Sequence, residues 1–220
     1  MSQCLLCEND TAVQSWRVFF GAKAPVLCNI CLNQFEKIDG PSCEVCSRPM
    51  DQKGICPDCA AWEKNIFSSN QSLYHYNDAM KALIARFKYR GDYALAELFA
   101  EDIQAAAKKT ACDLVCAVPL PPLRLAERRF NQSEALIEMA GLSSTPLLAR
   151  HESDKQSKKS RAERIEAAQT FYPIGNAAGK SILVIDDIYT TGATIRLVAE
   201  ALGQAGAVSV KSITIARSGS

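Results

Sequence analysis

The stretch Ile182-Leu183-Val184-Ile185-Asp186-Asp187-Ile188-Tyr189-Thr190-Thr191-Gly192-Ala193-Thr194 constrains this chain more than any other. Four apolar residues run into two adjacent carboxylates. A hydroxyl-rich turn with one glycine follows, then the apolar-periodic run 195–202. An unbroken apolar run predicts a strand buried on both faces, and strand, turn, helix is the order of an α/β fold. In such sheets ligands bind just past the carboxyl ends of the strands. The loop expected over Thr190–Thr194 aims N–H groups and hydroxyls at an anion, at the positive end of the following helix. Asp186 and Asp187 stand at the strand exit, placed to accept from sugar hydroxyls or to help hold a hydrated Mg²⁺. The plain alternative is an ordinary buried strand before a capped helix, but such a strand rarely ends in two acids and T-T-G-A-T.

The same residues resemble the phosphoribosyl-pyrophosphate (PRPP) motif of type I phosphoribosyltransferases: four apolar residues, two acids, then T-T-G-x-T. The resemblance implies a PRPP site formed by Asp186, Asp187, Tyr189, Thr190, Thr191, Gly192, Ala193 and Thr194. Mg²⁺ would enter with the ligand.

The chain has ten cysteines, eight of them in the first 59 residues. Those eight form four C-x-x-C pairs: Cys4/Cys7, Cys28/Cys31, Cys43/Cys46 and Cys56/Cys59. One such turn offers two thiolates to a tetrahedral ion, and two turns complete a Cys₄ site, so eight ligands suit two Zn²⁺. Sequential pairing puts Cys4, Cys7, Cys28 and Cys31 around one ion and Cys43, Cys46, Cys56 and Cys59 around the other. Cross-bracing, first pair with third and second with fourth, fits the spacing equally. All ligands are protein thiolates, so the ions are expected to be structural. The segment has few large apolar residues, and small domains of this kind usually need metal to fold. Cys112 and Cys116 stand apart and are expected to be small buried side chains.

Composition narrows the function. Charged residues are 22% and the net charge is +1, so any nucleic-acid contact must come from a local patch. No run approaches 18 apolar residues, so no membrane span is expected. Met1-Ser2-Gln3-Cys4 lacks the charged and apolar regions of a signal peptide, and a cytoplasmic protein is expected.

The length suits a small Cys-rich domain over residues 1–62 and an α/β domain over 72–220, joined by a segment spanning 61–71. Ser72–Tyr76 alternates as a short strand. Asn77 or Asp78 can cap a helix carrying Met80, Leu83, Ile84 and Phe87 at helical spacing. A second helix is expected from Tyr93 to Lys108. Lys81, Arg86, Lys88 and Arg90 on the first helix read as a solvated face, with a phosphate or nucleic-acid contact as the sharper reading. Asp113–Pro119 is a buried strand stopped by prolines. Arg124, Arg128 and Arg129 follow it, three arginines in six residues that form a natural anion site. A helix is expected over Gln132–Ala140. Residues 151–168 are polar, and a loop running into a helix near Arg161–Ala168 would serve as a lid or as a plain solvated connection. A last strand is expected over Val208–Ala216.

Taken whole, the chain resembles the ComF family of competence proteins, which join a zinc ribbon to a phosphoribosyltransferase-like domain. The resemblance rests on the C-x-x-C array, Val118–Pro121, Arg128-Arg129-Phe130-Asn131-Gln132, and Asp186–Thr194. It implies an α/β fold of the type I phosphoribosyltransferase class with a mainly parallel sheet, preceded by a small Cys-rich zinc-ribbon domain. The family usually has R-G-F-N-Q where this chain has R-R-F-N-Q, so Arg129 occupies a glycine position. The resemblance further implies handling of internalised single-stranded DNA at the inner face of the membrane. The implied partners are a helicase-like competence ATPase and a recombination mediator. On the enzymatic reading, PRPP would place its pyrophosphate near Arg124, Arg128 and Arg129 and transfer ribose 5-phosphate to an acceptor. On the binding reading, the same pocket holds PRPP or a DNA end without turnover.

Overall fold

A computed structural model describes residues 3–11, 27–63, 65–152 and 170–219. Its centre is a four-stranded sheet in the order β1-β6-β5-β2, with every neighbouring pair parallel. The strands are β1 (Phe67–His75), β2 (Leu114–Ala117), β5 (Ser181–Tyr189) and β6 (Ser209–Arg217). Ile182, Leu183, Val184 and Ile185 are each at most 1% exposed, because helices cover both faces of the central strand. The antiparallel pair β3 (Leu148–Arg150) and β4 (Phe171–Pro173) forms a separate two-stranded sheet.

One face carries α3 (Asp78–Tyr89), a 3₁₀ helix (Tyr93–Phe99), α4 (Ala100–Lys109) and α6 (Gln132–Met139). Asn77 caps α3, its side-chain oxygen accepting from the Met80 N–H at 3.0 Å. Met80, Leu83, Ile84 and Phe87 are all buried, and each contributes roughly 1.5–3 kcal/mol of apolar transfer. The other face is covered by α7 (Ala193–Gln204), whose Ile195, Val198, Ala199 and Leu202 face the sheet core. Among the described residues no helix is long and apolar enough to cross a membrane.

The cysteine-rich segment carries the short helices α1 (Asn29–Leu32) and α2 (Pro57–Ala60) and caps the edge strand β1. Its first half donates Ile38 N–H to Leu73 O and accepts His75 N–H at Glu36 O. Its second half accepts Asn70 N–H at Val45 O, 2.7 Å away. The segment thus satisfies backbone groups that an edge strand would otherwise present to another chain. Cys4, Cys28 and Cys31 join the core on the α3/α4/α6 side, while Cys43, Cys46 and Cys56 join the core on the α7 side.

Three local expectations change. The strand expected at Ser72 begins at Phe67, because Asn70 and Ser72 are buried in a hydrogen-bonded network with Ser212 and Thr214. Buried partners make a polar run into a strand, which alternation alone does not reveal. The single helix expected from Tyr93 to Lys108 starts as a 3₁₀ helix, where Tyr93, Ala96 and Phe99 repeat every third residue. The arginine run after the prolines, to which sequence assigns no element, forms α5 (Pro122–Arg128). The expected lid and helix over 151–168 fall almost wholly outside the described residues.

Candidate anion site and metal centres

The carboxyl ends of β2, β5 and β6 face the loops that carry most of the predicted site residues. Thr190 and Thr191 are exposed, and α7 starts at Ala193. The loop is therefore shorter than Thr190–Thr194. Ala193 and Thr194 belong to the first helical turn, whose N–H groups have no intrahelical acceptor; the Ala193 N–H donates instead to Thr191 Oγ1 at 3.4 Å. Gly192 caps that helix with φ +85°, and a Cβ there would lie 2.1 Å from the Tyr189 hydroxyl oxygen. Only glycine fits this position on both counts. Tyr189 itself is turned inward, 1% exposed, with its hydroxyl buried under the loop and without a partner among the described residues. Its side chain is a floor for the loop rather than part of the open surface.

Asp187 is buried and pairs with Lys88 of α3 at 2.6 Å. It shares a face of β5 with Leu183 and Ile185, which pack against the α3 side. Asp186 accepts from the Ser133 hydroxyl at 3.2 Å. Burial first and Asp187 second push the Asp186 carboxyl up to about 7, with Lys88 and Ser133 pulling the other way. Ser133 is held there because Asn131 caps α6: its side chain accepts Ser133 N–H at 2.9 Å and donates to Val118 O at 3.0 Å.

Of the three arginines, Arg124 and Arg129 are exposed on and after α5, and Arg128 is partly buried. Arg128 donates to Gln132 Oε1 at 2.9 Å and lies over the Tyr89 ring at 5.6 Å. Arg129 has φ +69° and ends α5 in the left-handed conformation. The backbone expected of a glycine is thus kept by an arginine, at a steric cost. A fourth cation is Arg150 at the end of β3, which sequence does not single out. Burial lowers its pKa; the charge of Asp186 opposes this, and Arg124 and Arg128 add to it. Arg150 thus feels one acid and two guanidinium groups of the site. A three-residue strand carries no periodicity from which its direction can be read. Lys88, which sequence offers as part of a solvated face or as a phosphate contact, instead pairs with an acid of the site.

The two cysteine groups are Cys4, Cys7, Cys28, Cys31 and Cys43, Cys46, Cys56, Cys59, with sulfurs in each within 4.8 Å of one another. Pairing is therefore sequential, not cross-braced. Four sulfurs at about 2.3 Å from a tetrahedral Zn²⁺ lie about 3.8 Å apart. Cys7 and Cys28 are at 3.6 Å and Cys46 and Cys56 at 3.8 Å, which fits that ion. Burial raises Cys43, but backbone N–H groups, among them Cys56 N–H at 3.3 Å, bring it down to about 7. Such donors stabilise a thiolate before any metal arrives. With four protein thiolates each, these are structural zinc centres. Cys116 is buried and Cys112 partly so, and among the described residues neither joins a metal group.

Residues 2–60 match the double zinc ribbon domain family, and residues 140–220 match the phosphoribosyl transferase domain family. The chain is 37% identical to competence protein ComFC of Bacillus subtilis (strain 168), over 98% of this chain and 95% of that protein. It is 38% identical to competence protein ComFC of Streptococcus pneumoniae (strain ATCC BAA-255 / R6), over 87% of each. DNA utilization protein YhgH of Salmonella typhi is 24% identical over 85% of this chain and 95% of its own length. By these relatives, by its paired Cys₄ centres and by its parallel α/β sheet, this chain belongs to the ComF family of competence proteins.

Proposed function

We propose that this protein binds PRPP·Mg²⁺ at the carboxyl edge of its sheet and uses that site while handling internalised single-stranded DNA in natural transformation. The observation that carries the ligand is the sequence of chemistry along one edge. Two acids on β5 lead into a glycine-capped helix start, and Arg128 and Arg150 approach from α5 and β3. The 5-phosphate fits the N–H groups from Thr190 to Thr194. The ribose hydroxyls fit Asp186 and Asp187, and the pyrophosphate fits Arg124, Arg128 and Arg150, with Arg129 at the rim. Mg²⁺, where bound, would neutralise the pyrophosphate.

The DNA role is supported by the relatives' names, which speak of competence and of DNA utilization. A helicase-like ATPase and a recombination mediator are the proposed partners, at the cytoplasmic face of the membrane. Transfer of ribose 5-phosphate to an acceptor is the alternative use of the same pocket. Pyrophosphate release from PRPP, with and without single-stranded DNA, separates the two: no release with tight PRPP binding supports a binding module, and robust release supports the transferase. Single-strand binding over a salt series tests the DNA arm, and a flat response rejects phosphate contacts.

A further inference from the structure

The second cysteine centre and the candidate phosphate loop share one side chain. Arg217, the last residue of β6, is 5% exposed. Its Nε donates to Cys46 O at 3.1 Å, and its Nη2 lies 3.8 Å from Cys46 Sγ. Its Nη1 donates to Thr190 O at 2.8 Å and reaches Tyr189 O at 3.4 Å. The guanidinium also lies over the Tyr189 ring, 5.1 Å from its centre. One planar group thus holds a metal-ligating cysteine on one side and both residues entering the loop on the other. A guanidinium has the rigid fork this needs; an ammonium does not.

We propose that Arg217 is a positioning residue that couples metal occupancy at the Cys43/Cys46/Cys56/Cys59 centre to the shape of the loop Thr190–Gly192. Cys46 sits in a tight turn in which Ser47 N–H donates to Cys43 O at 2.9 Å and Ser47 has φ +57°. Metal at that turn fixes the carbonyl and the thiolate to which Arg217 is tied. Without it, the turn relaxes, and Arg217 loses the anchor that aims it at Thr190 O. Tyr189 moves with it, and Gly192 rests on the Tyr189 ring. Among the described residues no side chain links the first centre to the loop: its segment meets the α/β layer at β1, where Ile38 N–H donates to Leu73 O and His75 N–H to Glu36 O, and at α3, where Arg86 reaches Leu6 O at 3.4 Å. Coupling of two sites is reciprocal, so a ligand in the loop must also strengthen metal binding at the second centre.

The ligand half of the test rests on the phosphate reading of the loop; the first half does not. Hydrogen exchange is measured over residues 190–196 in the full chain. Cys59→Ser, which weakens the second centre, is expected to speed exchange there by about 5- to 150-fold. Cys7→Ser, which weakens the first, leaves it within about twofold. In Arg217→Met exchange is fast at the outset, and adding Cys59→Ser changes it no further; Arg217→Lys serves if Arg217→Met does not fold. Unchanged exchange in Cys59→Ser, or equal acceleration in both cysteine variants, overturns the coupling. In the second half, PRPP·Mg²⁺ slows release of one of the two zinc ions to a chromophoric chelator in the wild type and not in Arg217→Lys. PRPP that binds without slowing release also overturns the coupling. PRPP that does not bind the wild type overturns the phosphate reading, and the exchange result then decides the coupling alone.

Discussion

Lys88 and Asp187 form an ion pair at 2.6 Å, with side chains 20% and 10% exposed. The helix face that looks solvated in sequence therefore delivers a cation to the middle of the candidate ribose site. Arg86, two residues earlier, is likewise engaged, at 3.1 Å from Asp92. Lys88 neutralises an acid that the sheet buries.

Removing Lys88 leaves that acid uncompensated. Lys88→Met is expected to cost about 3 kcal/mol, near the lower end of the range for breaking a buried pair. For a chain of this size that is a fall in Tm of about 6–12 °C. Adding Asp187→Asn recovers most of the loss. Thermal melts of the two single variants and the double variant measure the coupling, and additive losses would show that the pair is not energetically real.

The floor of the loop makes an opposite pair of predictions. Tyr189→Phe removes a buried hydroxyl that has no partner among the described residues, so it is expected to be neutral or stabilising by about 1 kcal/mol. Gly192→Ala puts a methyl into the space of the Tyr189 ring at a left-handed φ, and is expected to lower stability by about 1–3 kcal/mol. Denaturant midpoints check both; a stable Gly192→Ala protein would mean that the loop is not seated on Tyr189.

Asp186 sets a pH dependence. Its carboxyl is raised to about 7 by burial and by Asp187, whereas an unfolded Asp titrates near about 3.9. The folded chain then binds the proton more tightly than the unfolded chain. The stability this supplies is complete below about pH 4 and is lost as pH rises through about 7. Between pH 5.5 and 8 the wild type should lose more stability than Asp186→Asn. The lower limit keeps protons from competing with metal at the thiolates. Parallel melting curves for the two proteins across that window would contradict the assignment.

The parts of this fold that sequence makes legible share one property: they are written in local chemistry. Ile182–Ile185 and the α3 positions Met80, Leu83, Ile84 and Phe87 announce burial by period, and all eight are buried. The C-x-x-C turns announce metal by spacing, though not the partner of each pair, since that depends on how the segment folds back on itself. What sequence hides is long-range. Asn70 looks like linker until Ser212 and Thr214 meet it from β6. Arg217 looks like the end of a strand until Cys46 arrives from 171 residues away. Lys88 looks solvated until Asp187 lies opposite. In the candidate site, the acids and the glycine come from one contiguous stretch and were legible, while Arg150, Ser133 and Lys88 come from other elements. Arg129 kept the left-handed turn of a glycine position, which shows that tertiary context can outweigh the residue's own preference.

The metal centres carry their own expectation. Protein purified without chelators should hold two zinc ions per chain, and stripping them should unfold the segment over residues 1–62 while β5 and β6 keep slow amide exchange. Finding no zinc by elemental analysis would reject the structural reading of both Cys₄ groups.

Whether the proposed PRPP site lies at the carboxyl edge of β5 is decided by calorimetric titration of PRPP·Mg²⁺ into the wild type and into Asp186→Ala/Asp187→Ala. Saturable binding to the wild type is expected, with a loss of about 100-fold or more in the double variant and unchanged zinc content in both proteins. Equal affinity for the two proteins, with zinc intact, would contradict this placement.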